Sequence, residues 1–166
     1  MFKFNSIGAI EKHVRNNPRN IATSTLQNGM SVIMNDQAGT ASVPATATEA
    51  QGLTWIVGNI IDKPEVRNNK EFTIENGEHV RGFLAEDAKE LQVEVDYRVV
   101  ATDLDTVSIG DHLVVANAAD HGEDAGKWIK PDGTVIADSS SYNTYLEVLK
   151  KTTYGDKGLL CKVVKN

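Results

Sequence analysis

Two short stretches carry the residue types that could do chemistry, Asp111-His112 and Asp120-His121-Gly122-Glu123-Asp124. Together they bring carboxylates and imidazoles close in sequence, the groups that hold metal ions or carry protons near neutral pH. Their spacing argues against a metal. A calcium loop of the EF-hand type needs oxygen ligands at fixed alternate positions, a central glycine and a closing glutamate, and the run from Asp120 to Asp124 does not keep that order. Zinc would ask for HExxH or paired Cys-x-x-Cys, and neither occurs. The expectation is a solvated loop with no metal and no cofactor. His13 and His79 lie far from this cluster in sequence, so no proton relay is indicated.

Other nucleophiles read the same way. Ser139-Ser140-Ser141 has no GxSxG elbow around it and suits a polar connection between strands. Cys161, the sole cysteine, sits in Leu159-Leu160-Cys161-Lys162-Val163-Val164, where a buried small hydrophobe is the ordinary role. Gly110, Gly122, Gly126 and Gly133 are dispersed among turns and never form a phosphate-cradling loop. No catalytic residue is expected, and the chain does not read as an enzyme. Trp55 and Trp128, with Tyr97, Tyr142, Tyr145 and Tyr154, have the flat rings that a sugar platform needs. Both tryptophans lie in apolar runs where core packing is the usual role, so burial of both would remove that option.

The elements that must position these groups are mostly strands. His112 to Ala116, Tyr145 to Lys150 and Leu159 to Val164 read as β runs, and Gly126 to Ala137 reads as a hairpin around Pro131-Asp132-Gly133. Glu71 to Glu75 and His79 to Leu84 flank Asn76-Gly77, a pair suited to a tight hairpin turn. Leu91, Val93, Val95, Tyr97 and Val99 alternate with Gln92, Glu94, Asp96 and Arg98, which puts one face in a core and the other in water. Leu53 to Ile61 reads as a strand with a bulge at Gly58, and Asn28-Gly29 as the turn into a strand from Met30 to Met34. Ala85 to Glu90 suits a helical turn.

Residues 1–50 differ in character, being rich in Asn, Thr, Ala and Ser. They read as an N-terminal arm, partly extended, with a short helix over Ile7 to Val14 that Asn16-Asn17-Pro18 would stop. Residues 51–166 read as one β domain. The expected class is therefore mainly β, a small barrel or sandwich with an extended N-terminal arm containing a short helix. With 166 residues at 40% hydrophobic, the chain suffices for one core. The 17 basic and 23 acidic side chains give a net charge of −6, which repels a nucleic-acid backbone. No run approaches a membrane span and no secretory signal opens the chain, so synthesis and folding in a cytoplasm are expected.

Ile109-Gly110-Asp111-His112-Leu113-Val114-Val115, Gly126-Lys127-Trp128-Ile129-Lys130, Tyr145-Leu146-Glu147-Val148-Leu149 and the late run from Gly158-Leu159 to Val164 stand in a familiar order. They resemble the β-barrel decoration or cement proteins on the heads of tailed bacteriophages, and Asn59 to Asn68 resembles a segment of related phage structural proteins. The likeness covers Leu53 to Lys165. It implies a virion structural protein that binds the exterior of the major capsid lattice and stabilises the expanded head. The partners so implied are the major capsid protein and other copies of the chain, as dimer or trimer, with no nucleic acid and no membrane. Alternatives are another virion part, such as a tail-tube or head-completion protein, or a glycan-binding or small-ligand-binding β module.

Overall fold

Apolar side chains recurring at every second position build strands here, and turn residues with fixed backbone preferences separate them. The structure, a computed structural model, describes residues 2–4, 15–61, 72–136, 138–154 and 156–166. It is mainly β, as the sequence predicts, with a closed five-stranded barrel and a separate sheet. The helix expected over Ile7 to Val14 lies outside the described residues.

The barrel is made of β2 (Asn16–Ala22), β3 (Ser31–Asn35), β4 (Thr40–Ser42), β5 (Trp55–Val57) and β6 (His79–Leu84). They close in the order β2-β4-β3-β5-β6, with β2 and β4 parallel and β6 returning antiparallel onto β2. Between β3 and β4 the Asn35 carboxamide oxygen accepts the N–H groups of Gln37 and Ala38 at 3.1 and 3.0 Å, an Asx turn that reverses the chain. Pro18 sits in β2 where the register shifts between Asn17 and Asn20, a bulge in which its missing N–H breaks no ladder. Val32, Val57 and Val80 are fully buried on one side of these strands. Alternation places Met34, Trp55 and Gly82 on that same side. A Cβ at Gly82 would collide with the Met34 methyl and approach the Trp55 Cβ to 3.1 Å, so a larger residue there has to displace the Met34 side chain.

Residues 16–42 were expected in an arm, and they are barrel wall instead. The boundary expected at residue 50 runs through the barrel, because β3 pairs with β5 across it. Small side chains are what a tight barrel needs at a crowded strand: Ala41 in β4 is fully buried. The low bulk of this stretch is thus a packing requirement rather than a sign of an unfolded segment.

The second sheet orders as β1-β7-β11-β10-β8-β9, from β1 (Phe2–Phe4), β7 (Gln92–Asp96), β8 (His112–Val115), β9 (Trp128–Ile129), β10 (Thr144–Thr152) and β11 (Gly158–Lys165). Rows of paired residues run across it. Leu113, Leu146 and Val163 form one inward row and Val148, Cys161 and Val93 another, all essentially buried. The intervening rows face outward, with His112, Glu147, Lys162 and Gln92 in one and Lys150, Leu160, Glu94 and Lys3 in the next.

Several local expectations change; the strand expected from Leu53 to Ile61 with a bulge at Gly58 is shorter, Trp55–Val57, and ends before Gly58 without a register shift. Gly77 turns the chain with φ of +91°, but Ile74 bridges to Leu26 instead of pairing with β6, so no hairpin forms around Asn76-Gly77. The turn is read correctly and the strand partner is not, since a bridge to Leu26 depends on tertiary contacts. Trp128–Ile129 pairs back onto β8, and the Pro131 to Gly133 stretch is a loop, not a hairpin. There Asp132 accepts the N–H groups of Thr134, Val135 and Ile136 at 2.8, 3.0 and 3.3 Å. Asp96, expected to face water, is fully buried and paired to Arg98 at 3.0 Å. It ends β7 by accepting the Arg98 N–H, which breaks the alternation beyond it. The helical turn expected over Ala85 to Glu90 is present as a 3-10 helix, Ala85–Ala88.

One apolar cluster joins barrel and sheet. Trp128 of β9 is its largest fully buried side chain, and its indole N–H donates to the Gly29 carbonyl at 2.8 Å. Gly29 lies in the turn leading to β3, and the Ser31 N–H donates to the Gly126 carbonyl at 2.7 Å beside it. The indole thus crosses from one unit into the other.

Candidate functional site

The carboxylates of the acidic stretches are occupied by local structure. Asp111 accepts from the Ser108 N–H at 2.6 Å and from Lys130 Nζ at 2.7 Å, and these partners hold its pKa below the ordinary range against the opposing effect of desolvation. Asp120 accepts from the Asn117 carboxamide at 2.8 Å at the start of the short helix Ala118–His121. Asp124 pairs with Lys127 at 2.7 Å. Among the described residues no group of three or more His, Cys, Asp or Glu side chains converges as a metal-holding set.

Of the histidines, His79 is exposed on β6 and His121 ends the Ala118–His121 helix, while His13 lies outside the described residues. His112 meets one of the candidate serines. Its Nδ1 shares a 2.7 Å hydrogen bond with Ser139 Oγ, and its ring lies against Tyr145 with centroids 4.5 Å apart. Sequence reasoning did not bring these two together. Ser139 is buried, at 7% exposure, and its carbonyl receives the Asn166 carboxamide at 2.9 Å and the Tyr142 N–H at 3.1 Å. The pair fastens the end of the chain beside β8. The neighbouring Asp111 is turned to Lys130, and among the described residues no third group hydrogen-bonds the imidazole. Ser140 and Ser141 are exposed. Cys161 is buried as its setting predicts, and desolvation pushes its thiol up to about 12, which leaves it without thiolate character.

The aromatic residues divide. Trp128 and Tyr142 are buried, Tyr145 lies tilted against His112, Tyr154 lies under Lys3 Nζ at 5.3 Å, and Tyr97, expected to face the core, is 47% exposed with the Arg98 guanidinium 4.6 Å over its ring. Trp55 is different. It is partly buried, and its indole N–H has no partner among the described residues and is not sealed from solvent.

Trp55 lines an open hollow of about 510 Å³ together with Asn17, Arg19, Asn20 and Asp36. The topology explains its position: at this end of the barrel β2, β4 and β5 begin while β3 and β6 finish, so the hollow is the barrel's mouth. Mouths of barrels are common places for small ligands, because the strands hold side chains around a concavity with little freedom to move. The bulge at Pro18 turns both Asn17 and Asn20 into the wall. Asn17 donates to Asp36 Oδ1 at 2.6 Å and accepts the Arg19 N–H at 3.0 Å, and Asn20 donates to the Thr40 carbonyl at 2.9 Å. Asp36 Oδ2, Asn20 Oδ1 and the Arg19 guanidinium bond none of the described residues. Arg15 also reaches the rim, but its guanidinium is held by Asp87 at 2.7 Å and Glu86 at 3.0 Å, which raise its pKa.

Sequence reasoning singled out Trp55 and missed its polar neighbours. The available signal was Asn16-Asn17-Pro18-Arg19-Asn20, a polar run around a proline, which reads equally as a helix stop and as a bulged strand. No family model, no curated protein and no solved structure matches the chain.

Proposed function

We propose that the protein is a structural component of a phage virion, a decoration or cement protein that binds the outside of the major capsid lattice and stabilises the expanded head. The observation that carries this reading is β1. The start of the chain reaches past the whole barrel in sequence and adds antiparallel to the edge of β7, with Phe2 opposite Val95 and Phe4 opposite Val93. Strand addition is the device an arm uses to grip a neighbour's exposed sheet edge, since main-chain hydrogen bonds supply affinity without a large apolar footprint. Four of the segments that carry the resemblance support the same reading, for they fall on β8, β9, β10 and β11, which are contiguous in one sheet; of the fifth, Asn59 to Asn68, residues 62–68 lie outside the described residues. The excess of acidic side chains suits an outer surface that repels nucleic acid.

Binding to the expanded lattice alone stabilises that state by mass action. A weak site repeated over a shell gains effective concentration from neighbouring attachments. Cosedimentation with expanded, undecorated capsids and with unexpanded procapsids tests the reading, comparing the full chain with one lacking residues 1–14, which precede the first barrel strand. The expected result is saturable binding to expanded shells, weakened by the truncation. Absence of binding to either shell by the full chain would overturn the proposal.

A further inference from the structure

We infer that the barrel mouth is a binding site for a neutral saccharide, with Trp55 as the stacking ring and Asp36 and Arg19 as hydroxyl partners on a wall braced by the buried Asn20. A pyranose has an apolar face of C–H groups and an edge of hydroxyls. A complementary site needs one flat ring, partly exposed and held still, beside planar donors and acceptors that remain unpaired. The mouth supplies each part. Trp55 is fixed in place by its strand pairing with Val32 and Leu84 and by the close approach of its Cβ to Gly82. The ring remains partly exposed and lines the hollow. Asp36 Oδ2 offers an acceptor and Arg19 offers donors, while the bonds from Asn17 to Asp36 and from the buried Asn20 to the Thr40 carbonyl fix the geometry in advance. The hollow of about 510 Å³ lies within the range of small-ligand sites.

Charge selects the ligand class. Arg15 is neutralised by Asp87 and Glu86, which leaves Arg19 facing the site with Asp36 as its counter-charge. A mouth that is close to neutral and lined by carboxamides favours an uncharged polyhydroxyl ligand over a phosphate or a fatty acid. The same reasoning separates Trp55 from Trp128, whose ring is sealed and whose N–H is used inside the core. The inference stands apart from the capsid reading and does not depend on it.

The test is a titration of the full chain with maltotriose, cellotriose and N,N′,N″-triacetylchitotriose, with inorganic phosphate as the charged control. Tryptophan fluorescence reports on Trp55, because Trp128 is shielded, and amide chemical shifts locate the site. At least one trisaccharide is expected to bind saturably with a Kd of about 1 mM or tighter, shifting the amides of Arg19, Asn20 and Asp36. Arg19→Ala and Asp36→Asn, both at exposed positions, are expected to weaken that binding about tenfold with an unchanged amide spectrum elsewhere. Trp55→Phe keeps a ring in the wall and should weaken it less than Trp55→Ala. No saturable binding of any of the three sugars, affinity unchanged in both Arg19→Ala and Asp36→Asn, or tighter binding of phosphate than of the sugars would each overturn the inference.

Discussion

The barrel gathers unpaired polar groups around a concavity at one end, whereas the sheet distributes its polar groups in rows across an outer face where opposite charges pair across strands. In the outer rows Lys162 meets Glu147 at 2.9 Å and Lys3 meets Glu94 at 2.5 Å, each directly across strands. Cross-strand pairs of opposite charge stabilise register and leave little hydrogen-bonding capacity for a partner molecule. At the mouth, strand closure places Asn17, Asn20 and Asp36 around a concavity before their capacity is exhausted. The proposed recognition of a small ligand therefore falls to the barrel and the proposed capsid contact to the sheet's edges, where β1 shows how an added strand is held.

The largest effect should come from the residue that belongs to both units. Trp128→Ala empties the centre of the shared core and is expected to destabilise the fold by about 3–5 kcal/mol, measured by urea denaturation. Trp128→Phe keeps most of the volume but leaves the Gly29 carbonyl without the indole donor, for a cost of about 1–3 kcal/mol. If barrel and sheet were independent, either substitution would split the unfolding curve into two transitions with the barrel's unchanged. A single transition shifted as a whole is the expected result.

Two glycines separate interior packing from turn geometry. Gly82→Ala forces a methyl against Met34 and Trp55, an overpacking cost of about 1–3 kcal/mol that should also disturb amides around the mouth. At Gly77 there is open space and φ is +91°, so Gly77→Ala meets only the backbone penalty of about 1–2 kcal/mol and should leave the mouth's spectrum unchanged. Equal perturbation of the mouth by both would show that the barrel interior does not hold Trp55 in place.

These glycines also mark how far local pattern reaches. Period-two alternation made β7, β10 and β11 legible, because each buries one face and its side chains report the same side at every second position. The turn at Gly77 was legible too, since positive φ is a property of a few residues. Pairing was not: Ile74 finds Leu26 and Trp128 finds Val115, contacts between segments that no local rule connects. Residues 16–42 misled for a related reason. Ala41 and its small neighbours look featureless in sequence, and only the closed barrel gives their size a purpose. The site was half legible, with Trp55 visible as an aromatic and its carboxamide neighbours hidden by the bulge at Pro18.

A smaller effect should appear where an ionic cluster ties the two units. Arg15 at the barrel and Lys165 at the end of β11 both bond the Ala85–Ala88 turn, through Asp87 and Glu86. The Asp87 pKa is lowered chiefly by its hydrogen bond from Arg15, and that of Glu86 chiefly by its hydrogen bond from Lys165. Each folded pKa thus lies below the unfolded value. The stabilisation is complete above the usual carboxylate range and is lost as pH falls through the depressed values. Asp87→Asn should flatten this acid limb of the stability profile in thermal melts between pH 2 and pH 7, with little change at the mouth. An acid limb as steep as that of the unmodified chain would remove Asp87 from the tie.

The smallest effect sharpens the comparison most directly. A double-mutant cycle on Lys162→Ala and Glu147→Ala is expected to give a coupling of about 0.2–1 kcal/mol. Both side chains are about a third exposed, at 31% and 32%, so solvent and salt screen the pair, and the coupling should fall as sodium chloride is raised. The matching cycle on Arg19→Ala and Asp36→Ala, in the absence of sugar, should give a coupling near zero, because their charged groups are not bonded to each other. A coupling at the mouth as large as that on the sheet would mean that Arg19 and Asp36 satisfy each other in solution. The two units would then share one kind of polar surface, and the capacity assigned to the mouth would be gone.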